Sequence, residues 1–142
     1  DLELLIPEYY VATIQERLNL YKELDNIETE TGLDEFEKNL KDRFGPLPKE
    51  TGELIQTLRL RWLARTIGFE KLSLKYGYMK GAFAGETDSP YFQSEAFGRV
   101  LQFIQTNPRE VTMKERKNKL TLQFDGVKSV KSGINYLMKL LK

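Results

Sequence analysis

The sequence predicts an α+β fold, in which a helical N-terminal half of about three helices packs with short antiparallel hairpins and two further helices. Three observations predict it. Apolar residues recur at three- and four-residue steps through the first half, the period switches to two after Gly68, and Gly, Pro and Asn stand where elements must end.

Taken in order, Leu2, Leu4 and Ile6 alternate with Asp1, Glu3 and Leu5, which reads as a short strand ended by Pro7. A helix follows, with Tyr10, Ile14, Leu18, Tyr21 and Leu24 on one apolar face, and the polar run Asp25 to Gly32 closes it. The second helix is read from Leu33 to Phe44 on the stripe Leu33, Phe36, Leu40 and Phe44. Gly45 can take the left-handed conformation that ends a helix and Pro46 and Pro48 cannot continue one, so Phe44-Gly45-Pro46-Leu47-Pro48 is a rigid corner. A third helix covers Lys49 to Ile67, with Leu54, Ile55, Leu58, Trp62, Leu63 and Ile67 on a wide apolar face, and ends at Gly68.

Beyond Gly68, Leu72, Leu74 and Tyr76 alternate with Lys71, Ser73 and Lys75. Gly77 then precedes a strand from Tyr78 to Ala84, which makes a hairpin. The loop Gly85 to Pro90 leads to a helix with Phe92, Ala96, Val100 and Phe103 or Ile104 inside, ended by Asn107-Pro108. Val111 to Glu115 and Lys119 to Phe124 form a second hairpin turning at Lys117-Asn118, and the last helix buries Val130, Ile134, Leu137 and Leu141. At 142 residues the chain is read as one domain, 1–142, able to bury roughly 70% of the surface its unfolded form exposes.

Composition limits the chemistry. Cys is absent, which removes disulfides, thiolate metal sites and thiol nucleophiles. His is absent too, so any acid or base would be a strongly shifted Glu, Asp or Lys, and an enzyme is not expected. No apolar run approaches the roughly 20 residues of a membrane helix, and Asp1-Leu2-Glu3 lacks the basic start of a signal peptide, so a cytoplasmic protein is expected. The abrupt strand-like beginning fits a piece cut from a longer polypeptide. Charge is uneven along the chain: residues 1–58 carry a net −8, residues 59–109 +4 and residues 110–142 +5. Held on separate faces, these would select a basic and an acidic partner respectively.

Three constellations invite a functional reading. Gly77, Gly81 and Gly85 fall four apart, but no Gly-Lys-Ser/Thr follows and no helix opens there, so strand bends and turns account for them. Glu35, Glu37 and Asp42 could be an acid/base or metal cluster, yet helical spacing leaves them outward as a solvated face open to docking. Arg59, Arg61 and Arg65 crowd the third helix, while Arg109, Lys114, Arg116, Lys117 and Lys119 crowd the second hairpin. Nucleic-acid contact at 109–119 is therefore the alternative function, against solvation and edge protection, with no aromatic-rich strand to stack bases.

Ile6-Pro7, the helix reading Arg17-Leu18-Asn19-Leu20-Tyr21, the run Asp42-Arg43-Phe44-Gly45-Pro46-Leu47-Pro48, and Leu58-Arg59 to Ala64 with Gly68 together resemble the C-terminal (TRCF) domain of the bacterial transcription-repair coupling factors. The Asp-Arg-Phe-Gly-Pro-Leu-Pro corner is the most specific part, and residues after about Gly77 match only in pattern. The resemblance implies a non-catalytic regulatory module of a larger bacterial, cytoplasmic DNA translocase, with ATP and Mg used only by motor domains upstream. It implies docking on a UvrB-like module of the same chain, masking the binding of UvrA and restraining the motor during nucleotide excision repair. RNA polymerase and double-stranded DNA would be met only through the full-length protein. The implied docking residues are Asp42 and Arg43, with Glu35 nearby; where the family often has Glu, this chain has Asn39, which removes one expected ion pair.

Overall fold

Hydroxyl side chains set where four of the helices begin. Thr13 accepts a hydrogen bond from the Glu16 amide (3.3 Å), Thr29 from Gly32 (3.0 Å), Ser94 from Phe97 (3.3 Å) and Ser129 from Ser132 (3.1 Å). Each satisfies an amide that a first helical turn leaves unpaired. The computed structural model describes residues 5–142 and shows an α+β fold of α1 (Ile14–Asp25), α2 (Glu30–Phe44), α3 (Lys49–Ile67), β1 (Phe69–Lys75), β2 (Tyr78–Phe83), α4 (Glu95–Thr106), β3 (Val111–Arg116), β4 (Lys119–Asp125) and α5 (Val130–Leu141). The described residues divide into two compact units, 5–58 and Arg59–Lys142, and α3 contributes residues to both.

In the first unit, Val11, Leu20, Leu24, Leu33, Phe36 and Leu40 are buried. Ile6 is buried as well, and its amide donates to the Tyr21 hydroxyl at 2.7 Å. Thr51 is fully buried and donates its hydroxyl proton to the Leu5 carbonyl at 3.2 Å, which satisfies an oxygen that would otherwise be costly to bury.

In the second unit the two hairpins join through β2 and β4 into one antiparallel sheet of order β1-β2-β4-β3. Each hairpin turns on two residues in the left-handed region, Tyr76-Gly77 and Lys117-Asn118, the geometry that matches strand twist. One sheet face carries Met79, Gly81, Phe83, Leu120, Leu122 and Phe124 into the core. There α4 and α5 meet it: the Phe103 and Tyr136 rings lie 6.5 and 5.6 Å from that of Phe124. Gly81 is required on this face because the Phe69 ring crosses it, and an added Cβ would come within 2.5 Å of a ring carbon.

Several expectations need correction. The N-terminal strand falls mostly on residues outside the described ones, and Leu5 to Pro7 are irregular. The first helix starts at Ile14 rather than near Tyr10 because Thr13 caps it, and its inner side is Leu20 and Leu24, leaving Ile14 67% and Leu18 48% exposed. Thr29 starts α2 three residues before Leu33. Ser94 divides the expected helix from Phe92, so Pro90–Gln93 form a 3-10 turn and α4 follows with Phe97, Val100 and Phe103 inside. In α5 the buried positions are Val130, Gly133, Leu137 and Leu140, while Ile134 and Leu141 are half-buried. Gly133 turns inward where a Cβ would meet the Met79 sulfur at 3.1 Å, so α5 approaches β2 there with little between them.

Candidate functional site

The core residues of α2, Leu33, Phe36 and Leu40, leave the opposite side of the helix to solvent. Glu35, Asn39 and Asp42 follow one another at four- and three-residue steps, so they line one exposed stripe. Among the described residues, Glu35 and Asp42 make no ion pair within the chain. Glu37, also considered above, lies to the side and pairs with Lys41 at 3.8 Å. Arg43 does not share the stripe: its guanidinium sits 4.7 Å from the centre of the Phe44 ring, a cation–π contact that directs it toward the corner.

The corner holds the end of this stripe. Gly45 has φ 93° and ψ −167°, a conformation essentially confined to Gly, and its amide still donates to the Lys41 carbonyl at 3.0 Å. The Tyr10 hydroxyl, shared between the Leu40 and Gly45 carbonyls at 3.1 and 2.7 Å, ties the segment before α1 to the end of α2. Burial pushes the Tyr10 phenol above its usual pKa. Its ring packs 5.6 Å from Phe44, and the Pro48 carbonyl beyond Pro46 accepts from Thr51 and Gly52 to open α3. Phe44, Gly45, Pro46 and Pro48 lie at the turn between α2 and α3, where Gly45 takes an extended positive-φ conformation rather than the left-handed helical one.

The basic hairpin residues are divided. Lys114, Arg116 and Lys119 lie on the sheet face away from α4 and α5, Lys117 sits in the turn with φ 52°, and Arg109 lies in the connection between α4 and β3. Of the three glycines, Gly77 and Gly85 take positive φ and Gly81 lies under Phe69. Among the described residues, no group of three or more His, Cys, Asp or Glu could hold a metal ion. No helix among them is long and apolar enough to cross a membrane.

Sequence reasoning missed the outward apolar residues of the first unit. Ile14 and Leu18 are 67% and 48% exposed although their spacing reads as core, and Tyr9 beside them is 78% exposed. The signal that could have found them is Thr13, because a helix starting there turns the stripe of Arg17, Leu20, Tyr21 and Leu24 inward instead.

The comparisons with known proteins agree on one family. The model of the TRCF domain matches residues 1–94. The chain is 25% identical over 135 residues to the transcription-repair-coupling factor of Borreliella burgdorferi, which covers 94% of this chain and 11% of that protein. It is 37% identical over 68 residues to the transcription-repair-coupling factor of Escherichia coli, with 48% of this chain and 6% of that protein covered. The chain therefore spans 11% or less of the length of these two relatives. Its fold is similar to that of a crystal structure of the C-terminal domain of a transcription-repair coupling factor, with a TM-score of 0.76, 15% identity, and 98% and 87% of the two chains covered.

Proposed function

Because the chain belongs to the TRCF domain family, we propose that it acts as a non-catalytic regulatory module of a transcription-repair coupling factor. In this reading it docks on a UvrB-like module of the same polypeptide, masks UvrA binding and restrains an ATP-driven DNA translocase until RNA polymerase is engaged.

The observation that carries this reading is Asp42. It stands in the last turn of α2, where the helix dipole makes a carboxylate unfavourable by about 0.3–1 kcal/mol. No ion pair with another described residue offsets that cost. A cationic partner would offset it, and Glu35 on the same stripe would add a second contact. Asn39 between them contributes hydrogen bonds in place of charge. An exposed ion pair contributes only about 0.2–1 kcal/mol, so the contact would be weak and releasable, as a switch requires. The exposed Ile14 and Leu18 supply apolar surface in the same unit.

The test is titration of the 142-residue chain against the UvrB-like module at low and moderate salt. Binding is expected to weaken with salt and to fall about fivefold or more with Asp42→Arg, the loss of one to two exposed pairs. Failure to bind at low salt, or an Asp42→Arg variant that binds as the parent does, would overturn the reading.

A further inference from the structure

The sheet of the second unit has helices on one face only, and its other face has an unusual charge balance. The register places Lys71, Ser73 and Lys75 of β1 beside Ala82, Lys80 and Tyr78 of β2. Tyr78, Lys80 and Ala82 in turn lie beside Asp125, Gln123 and Thr121 of β4, and Lys114 and Arg116 of β3 beside Thr121 and Lys119. Alternation along the strands puts all of these on the face opposite Met79, Leu122 and Phe124. Lys71, Lys75, Lys80, Lys114, Arg116 and Lys119 are all exposed there; among these paired positions the acid is Asp125, and Glu110, whose carbonyl accepts from the Asp125 amide, adjoins it just before β3.

These cations are not held for the fold. Among the described residues, none of the six forms an ion pair within the chain, and Asp125 already accepts from the Gln123 amide at 3.3 Å. Arg116 and Lys119 stand directly opposite one another, an arrangement that destabilises an antiparallel pair. Edge protection explains lysines on β1 and β3, the outer strands, but not Lys80, which lies on the interior strand β2.

We propose that this uncovered face binds single-stranded nucleic acid. Same-face residues along a strand are about 6.8 Å apart and strands about 4.8 Å apart, so Lys71, Lys80 and Lys114 bracket a strip about 14 Å wide along which a phosphate backbone can be followed. Thr121, Gln123, Ser73 and Thr112 between them offer hydrogen bonds, and Ala82 is the one aliphatic side chain on the face, too little for a lipid surface. Tyr78, 44% exposed between Lys75 and Lys80, presents an aromatic ring to an unpaired base, and Tyr76, 83% exposed, stands in the adjoining turn. Unstacked bases and a followed backbone are what a positively charged aromatic platform recognises, whereas a duplex hides its base faces. The inference uses the second unit and does not depend on docking by α2.

The test is fluorescence anisotropy of a labelled oligothymidine of about 15 nucleotides with the 142-residue chain, at about 50 mM salt and upward. Affinity is expected to fall with salt at a log–log slope of about −0.7 for each phosphate neutralised. Lys80→Glu with Lys114→Glu should lower affinity at least about tenfold and make that slope shallower. Tyr78→Ala should lower it about fivefold or more and leave the slope unchanged, which a purely electrostatic surface would not do. A matched pair in the first unit, Lys22→Glu with Lys38→Glu, should have a much smaller effect. All these positions are exposed or half-exposed, and circular dichroism confirms that each variant is folded. No binding at low salt would overturn the inference. So would equal losses from the two lysine pairs, or binding of a duplex or of phosphatidylserine vesicles as tightly as the oligothymidine with no effect of Tyr78→Ala.

Discussion

Single side chains in this protein often complete a backbone left short of partners. Tyr91 is an example: its hydroxyl donates to the Ile67 carbonyl at the end of α3, and its ring packs among Phe83, Phe92 and Phe97 at 5.6, 5.2 and 5.8 Å. Burial raises its pKa from 10.0 to about 12. Because the protonated phenol is favoured in the folded state, the resulting stability is fully present below pH 10.0 and is lost as pH rises through about 12. Tyr91→Phe should therefore cost about 1 kcal/mol at neutral pH, through the lost hydrogen bond, and give a shallower decline in stability across that alkaline window. Urea denaturation of both proteins over the range measures it; parallel pH profiles would contradict the assignment. Nothing in the sequence around Tyr91 announces this role, since its partner lies 24 residues earlier. The need for Gly81 was hidden for the same reason, because Phe69 reaches it only through strand pairing. Gly45 was legible because its neighbours Phe44, Pro46 and Pro48 restrict the chain locally.

At the scale of elements, local chemistry was legible and packing was not. The corner after α2, both hairpin turns and the bounds of α3 follow from Gly, Pro, Asn and periodicity within a few residues. The inner faces of α1 and α5 do not, because Ile14 and Leu18 satisfy helical spacing yet stay outside, and Gly133 lies inside with no apolar side chain to mark it. Which of two overlapping stripes is buried depends on where a cap starts the helix and on what approaches it. Helical spacing alone left Glu35, Glu37 and Asp42 outward, while Asn39 and Arg43 entered through the family resemblance; the uncovered basic sheet face was not legible, since it forms only when β2 pairs with β4. The corner yields a direct prediction. At φ 93° and ψ −167°, Gly45→Ala introduces a Cβ into a region essentially closed to it, at a cost of about 1–3 kcal/mol, although nothing lies within 4 Å of the added atom. Denaturant midpoints should register that loss, and hydrogen exchange should show it first at the end of α2. An unchanged midpoint would mean that the corner can be rebuilt at no cost.

On the scale of the whole molecule, the net charge of +1 conceals two opposed halves. Residues 1–58 carry −8 and residues 59–142 carry +9, and the boundary between the two compact units falls between Leu58 and Arg59. The imbalance was countable in the sequence, but its match to a structural boundary was not, because α3 runs through that point with no Gly or Pro to mark it. Each half carries a large excess of one sign, so at low ionic strength the acidic unit of one copy and the basic unit of another attract, whatever the total charge. The Debye length is about 30 Å at 0.01 M salt and about 8 Å at 0.15 M, so this attraction should be strong in the first condition and largely screened in the second. Static light scattering at pH 7 should accordingly give a negative second virial coefficient at low salt that rises steeply as salt is added. A coefficient that does not change with salt would show that the charges are effectively neutralised within each copy. That result would weaken the argument from charge for both proposed surfaces, because docking by α2 and binding by the sheet each require charge left available to a partner.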